Sequence, residues 1–167
     1  MSTHAVRTGV VAIAIATCLV FALKVSAAVA GRTQILVSDG NATAGKTLQA
    51  KPFQIIWTGD ATGVFAGRGK AGKHPKFGAL YWSKWTATEG KGSGANWLND
   101  CIPFCAAGKY TPFNANFDAY RPRVISGLKV FTRLKVVYTG AVPHGYKRTG
   151  VFTLGHRGKQ FFWNFPV

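Results

Sequence analysis

The sequence predicts an all-β protein: a small antiparallel sandwich or barrel, preceded by an N-terminal signal or hydrophobic helix. Three observations carry that prediction. Beyond residue 30 no segment keeps the 3.6-residue apolar period of an amphipathic helix. Short runs rich in β-branched and aromatic residues recur instead, several with period-two alternation. Glycine is frequent, 20 of 167 residues, and turn signals return about every ten residues, the rhythm of sandwiches and barrels.

The N-terminus, MSTHAVRTGVVAIAIATCLVFALKVSAAVAGRT, has Arg7, then an uncharged apolar run from Gly9 to Leu23. Ala28-Val29-Ala30 follows, a pattern that suits signal peptidase. The run falls short of the roughly 20 residues that span a bilayer. Residues 1–30 therefore read as a signal peptide cleaved after Ala30. The alternative is an uncleaved anchor holding the domain outside, which would have to accommodate Lys24 near the apolar layer. Cys18 lacks the preceding residues of a lipidation site. Cleavage removes Arg7 and Lys24, so the formal charge falls from +16 to +14. Such a charge implies anionic company, or else a solvated surface that keeps an exported domain soluble.

Residues 31–51 read as a flexible segment with TQILV as its candidate strand, and 52–167 as the β-rich domain. PFQIIWTG is a strand ended by Gly59-Asp60. AGRGKAGKHPKFG, residues 66–78, reads as a flexible loop bearing Arg68, Lys70, Lys73, Lys76 and, when protonated, His74. GALYWSKWTAT alternates, with Tyr81, Ser83 and Trp85 on one face and Leu80, Trp82, Lys84 and Thr86 on the other. SGANWLND leads to the cysteines. GLKVFTRLKVVYTG, residues 127–140, alternates most clearly. It sets Leu128, Val130, Thr132, Leu134, Val136 and Tyr138 against Lys129, Phe131, Arg133, Lys135 and Val137. GVFTL, GHRG and KQFFWNF then form a closing hairpin around a four-residue turn.

Export decides the chemistry of NDCIPFCAAGKY. In an oxidising compartment Cys101 and Cys105 most simply pair, with Pro103 helping the bend. A metal reading falls short, because C-x3-C supplies two ligands where structural zinc takes four. A redox reading lacks the C-x-x-C spacing.

The stretch from Trp82 to Thr139 joins W-x-x-W (Trp82, Trp85), the glycines Gly90, Gly92 and Gly94, and N-D-C-x-P-x-C-A-A-G. Pro122-Arg123 and V-F-T-R-L-x-V-x-Y-T follow. It resembles the small secreted β-rich proteins of unassigned function common in actinobacteria. The resemblance implies export, a β fold and a structural cysteine box, and carries no activity. The basic AGRGKAGKHPK has no counterpart in that pattern.

Catalytic groups are sparse. Asp39, Asp60, Asp100, Asp118, Glu89, His74, His144 and His156 are the acids and histidines beyond residue 30. Asp60 and Asp100 sit where turn carboxylates belong. His144 or His156 with Ser83, Ser93 or Ser126 would suffice for a hydrolase on residue types alone, but no G-x-S-x-G, H-E-x-x-H or P-loop is present. No cofactor or metal motif occurs.

Cations interleaved with aromatics are the positive feature. Lys129, Phe131, Arg133 and Lys135 share one strand face. Tyr146-Lys147-Arg148 and His156-Arg157-Gly158-Lys159 lie at turns. If they lie together they make a cationic platform for polyanions or sugars, with Phe131 and Tyr146 as stacking rings, and Arg68, Lys70, Lys73 and Lys76 add a flexible second contact. The competing reading makes the strand lysines edge guards and Phe131 core. The expected function is a secreted, non-catalytic cationic domain associating with an anionic cell-envelope polymer or surface, with nucleic acid as a ligand in vitro only. The alternatives are an exported enzyme acting on envelope material and a membrane-anchored structural or partner-binding protein.

Overall fold

In a computed structural model of the chain, residues 31–37, 47–157 and 160–165 are described. The expected signal segment, residues 1–30, and Lys159 lie outside them. The strands are β1 (Ile35–Leu36), β2 (Leu48–Gln49), β3 (Ile55–Ile56), β4 (Gly63–Ala66) and β5 (Tyr81–Trp85), followed by β6 (Gly90–Asn99) and β7 (Tyr110–Ile125). β8 (Leu128–Tyr138), β9 (Thr149–Arg157) and β10 (Gln160–Asn164) complete the order. The protein is all-β, as expected. Its architecture is one curled antiparallel sheet, half of a barrel, ordered β10-β9-β8-β7-β6-β4-β3, with β1 and β2 as a separate pair. One edge of the long β6 carries two neighbours: β4 against Ala95–Leu98, and β5 against Gly90–Ser93.

The central strand is β7, in antiparallel register with β6 on one side and β8 on the other. Its alternation buries Ala115, Phe117 and Ala119 while Asn114 and Asn116 face solvent. Ser126 and Gly127, at φ 51° and 78°, turn the chain from β7 into β8. Two left-handed residues in a two-residue loop match the right-handed twist of the flanking strands.

Three expectations are corrected. Residues 31–51 are expected to be flexible with TQILV as one candidate strand. That strand is present as β1, and the described residues 31–37 and 47–51 also bury Thr33, Ile35, Leu36, Val37, Thr47 and Leu48 and supply β2. The reason is hydrogen bonding on both sides. Gln34 N donates to Lys129 O at 3.0 Å, Phe131 N to Gln34 O at 2.9 Å, and Ile56 N to Val37 O at 2.6 Å. Residues 34–37 thus bridge β8 to β3, the last strand of the sheet.

Strict alternation of β5 is the second correction. A bulge between Trp82 and Lys84 puts Trp82 and Trp85 together, ring centroids 4.6 Å apart and edge-on. The extra residue of a bulge re-aims the side chains that follow it. Their rings lie over Gly92 and Gly90, where a Cβ would meet the indoles at 2.8 Å.

The closing hairpin is present but tighter than expected. Gly155, His156 and Arg157 continue β9, with Arg157 opposite Gln160. Gly155 lies beneath the ring of its partner Phe162, which a Cβ would meet at 2.4 Å, and so packs within the strand.

The core inside the curl is aromatic. Phe65 meets Trp57, Phe117 and Phe152 at centroid distances of 5.8, 5.1 and 5.2 Å. Burial of such rings supplies the main drive to fold. The polar groups enclosed with them are paired. Trp57 Nε1 donates to Asn96 Oδ1 at 3.0 Å, and Asn96 Nδ2 donates to Tyr138 Oη at 2.8 Å. Burial pushes the Tyr138 phenol up to about 12. A smaller buried cluster, Val64, Ala66, Ala95 and Trp97, packs with the half-buried Phe77 and Tyr110.

Candidate functional site

That smaller cluster is the seat of the basic loop. The sequence predicts flexibility for residues 66–78 because of their glycines, and the structure holds them at several points. Gly67 N donates to Gly78 O at 2.7 Å and closes the neck. Trp97 Nε1 donates to Gly67 O at 2.8 Å. A Cβ on Gly69 would meet the Trp97 ring at 2.9 Å, so glycine here serves close approach. Phe77 stands edge-on to both Trp97 and Tyr110, at 5.2 and 5.4 Å. Gly72 and Tyr110 exchange two backbone hydrogen bonds of 3.0 and 2.8 Å, stitching the loop to the start of β7. Arg68, Lys70, Lys73, His74 and Lys76 are exposed on this tethered frame. The described ion pairs join Glu89 to Lys84 and Lys91 and involve none of them.

The disulfide loop is adjacent. Cys101 and Cys105 are bonded, their Cα atoms 3.6 Å apart. Asn99 holds both limbs: its Oδ1 accepts from Cys101 N at 2.8 Å, and its Nδ2 donates to Cys105 O at 2.8 Å. Asp100 Oδ1 accepts from Lys109 N at 2.8 Å and Ile102 N at 3.1 Å. These N–H groups, that of Lys109 foremost, hold its carboxyl below the usual carboxylate range. Asp100 is thus a turn carboxylate. With the loop so braced, Ile102 and Phe104 stand 71% and 62% exposed.

The expected β8 platform takes a different form. Phe131 is fully buried, edge-on to Trp85 at 5.5 Å, and is unavailable to a ligand. Val130 beside it is also fully buried, because the N-terminal strand and Trp85 cover the second side of β8 at this point. Lys135 is exposed but faces Asp118 across the ladder, as Lys91 does from the other side. Arg133 pairs with Tyr120 and Thr153, and Lys129 with Val124. From Tyr110, where the basic loop is stitched, Asp118 lies eight residues along β7, about 26 Å at the usual strand rise. The β8 cations and the loop cations are therefore separate groups.

Of the remaining residues of the expected platform, Tyr146, Lys147, Arg148 and Arg157 are described. Arg148 Nη1 donates to the carbonyls of Tyr138 and Gly140 at 3.0 and 3.1 Å, pinning the chain that follows β8. Lys147 is exposed, and Arg157 is exposed at the end of β9. Tyr146 is half-buried between Tyr138 and Phe165, and burial raises its phenol. It lines a cleft of about 60 Å³ with Lys147, Phe152 and Phe165, room for a few water molecules.

Of the hydrolase candidates, Ser83 Oγ donates to Lys91 O at 3.2 Å, Ser126 occupies the β7–β8 turn, and His144 and His156 are exposed. Among the described residues no three His, Cys, Asp or Glu side chains gather as metal ligands. No helix among them is long and apolar enough to cross a membrane. In comparisons with known proteins, no family model, no curated protein and no solved structure matches the chain.

Proposed function

We propose that this protein is a secreted, non-catalytic binding domain whose basic loop, residues 67–78, attaches it to an anionic polymer or surface of a cell envelope. The observation that carries the reading is the seating of Arg68, Lys70, Lys73 and Lys76 on a loop tethered by Trp97, Tyr110 and its own neck. A cationic frame already ordered before contact loses little conformational entropy on binding. Export would follow from a cleaved N-terminus and from the resemblance to small secreted β-rich proteins, and the +14 formal charge left after cleavage supplies attraction at range.

The test is co-sedimentation of the protein with envelope material, and with dextran sulfate, across a salt series. Binding is expected to weaken steeply as salt rises. Changing Arg68, Lys70, Lys73 and Lys76 together to Gln should weaken it about a hundredfold or more, at about 1 kcal/mol for each cation near an anionic surface. The matching change of Lys129, Arg133 and Lys135 should do less. Salt-insensitive binding, or equal loss from both sets, would overturn the assignment to the loop.

A further inference from the structure

The ring closed by Cys101 and Cys105 presents Ile102, Pro103 and Phe104 to solvent, and nothing in the described domain packs over them. Two large apolar side chains this exposed, in adjacent turns of a braced loop, form a feature that solvent alone does not favour. From Cys101 to Gly108 the chain reads CIPFCAAG, without a charge. Residues 102–106 are all exposed. We infer that this tip inserts shallowly into a bilayer of anionic lipid, with the neighbouring basic loop at the headgroups. The inference rests on the reading of residues 67–78 as an anion-binding surface, and it names lipid as the class of ligand.

Three further observations favour lipid. The first is charge. Residues 67–78 and 99–110 together hold Arg68, Lys70, Lys73, Lys76 and Lys109 against one carboxylate, Asp100. That carboxylate is occupied by two backbone N–H groups of its own loop. Apolar residues beside a cluster of cations form the pattern of proteins that lie in the headgroup and acyl boundary.

The second is placement. Lys109 and Lys73 each adjoin the Gly72–Tyr110 backbone pair, so the basic loop and the base of the tip belong to one tethered unit.

The third is backbone satisfaction, which lipid demands because it offers no water to a bare amide. Cys101 N and Ile102 N donate to the side chains of Asn99 and Asp100. Ala107 N donates to Phe104 O at 2.9 Å, Gly108 N to Cys105 O at 3.3 Å, and Lys109 N to Asp100 Oδ1. Pro103 has no amide hydrogen to lose. The limbs of the loop can enter the interface with these donors already paired. Among the described hydrogen bonds none engages the N–H of Phe104, Cys105 or Ala106, which a shallow position leaves to headgroup and water oxygens.

The experiment uses the whole chain, with isoleucine methyls labelled. Nanodiscs are prepared from phosphatidylcholine alone, and from phosphatidylcholine and phosphatidylglycerol in equal parts. Both carry a nitroxide lipid at the headgroup. Broadening of the Ile102 methyl in the anionic discs is expected, with the buried Ile55 methyl as the unbroadened reference. The site-specific signal separates insertion of the tip from any attachment through residues 1–30. Changing Ile102 and Phe104 together to Ser should weaken binding to anionic discs about tenfold or more, while binding to dextran sulfate stays unchanged. Protein bound to discs with Ile102 unbroadened would overturn the inference. If dextran sulfate is then still bound through the basic loop, the reading of that loop survives. Loss of binding to both would remove the two together.

Discussion

Trp97 donates its indole N–H to the carbonyl of Gly67 at 2.8 Å across a sequence separation of 30, and by this bond a β6 side chain holds the neck of the basic loop. The bond joins the second cluster of the domain to its candidate binding surface. The loop's backbone is therefore anchored to the strand beneath it, and substitutions at its seat test that connection.

Gly69→Ala sets a methyl at 2.9 Å from the Trp97 ring, whereas Gly72→Ala meets nothing within 4 Å. The first should lower stability by about 1–3 kcal/mol. The second should be neutral, or stabilise by about 0.5 kcal/mol through the unfolded chain. Thermal melts of the two variants decide the matter. Equal midpoints would mean that the loop is not seated on Trp97.

Gly94→Ala offers a harsher test inside the sheet. A Cβ there would lie 2.2 Å from the backbone oxygen of Ala66, which a rotamer change cannot relieve. We expect a loss of about 3 kcal/mol or more, visible in urea titration. Gly140→Ala, in open space, is the control and should leave the midpoint unmoved.

Tyr138 makes stability fall at high pH. Its phenol is raised from 10.0 to about 12, first by burial, so the fold disfavours the phenolate. The contribution is fully present below about pH 10 and drains away as pH rises through about 12, with a total on the order of 2–3 kcal/mol. Tyr138→Phe should flatten the alkaline fall. The same change should cost about 1–3 kcal/mol at neutral pH, because Asn96 Nδ2 loses its acceptor. An alkaline slope identical in both proteins would assign the fall to other groups.

Asp100 acts at the opposite end of the scale. Its folded value is lowered, so its support of the disulfide loop is present above the unfolded carboxylate value and is lost as pH falls through the folded one. The protection factors of the Ile102 and Lys109 amides should fall on acidification, so that their exchange slows less than the intrinsic trend requires. Asp100→Asn should remove that extra dependence, and its persistence in the variant would exclude the carboxylate as its source.

Sequence and structure agree where the information is local. The alternation in residues 128–138 correctly marks a strand, and the spacing of Cys101 and Cys105 marks a staple. β7 was open to the same reading, since Phe113, Ala115, Phe117 and Ala119 alternate with Asn114, Asn116, Asp118 and Tyr120. Pro112, Pro122 and the asparagines lower its strand propensity and hide it. Distant contacts were out of reach. Phe131 belongs to the solvent face by alternation and is buried because Trp85 and the N-terminal strand, both far away in sequence, pack against this part of β8. The basic loop is glycine-rich and so reads as mobile, and only the position of Trp97 reveals that Gly69 serves close contact. A bulge likewise leaves no plain mark in YWSKW, where it moves Trp82 and Trp85 together.

The N-terminal strand has a consequence for the order of events in folding. Gln34 is held by β8, Val37 by β3, and the Leu36 carbonyl accepts from Trp163 Nε1 across a separation of 127 residues. The earliest described strand is thus completed by groups synthesised much later. A chain emerging from its N-terminus can form the β6–β7–β8 meander early, but it must wait for β10 before β1 is fully enclosed. Such non-local closure slows folding, because loop entropy is lost before the contacts that compensate for it can form. Refolding should therefore show the meander protected from exchange first, with residues 33–37 the last to gain protection.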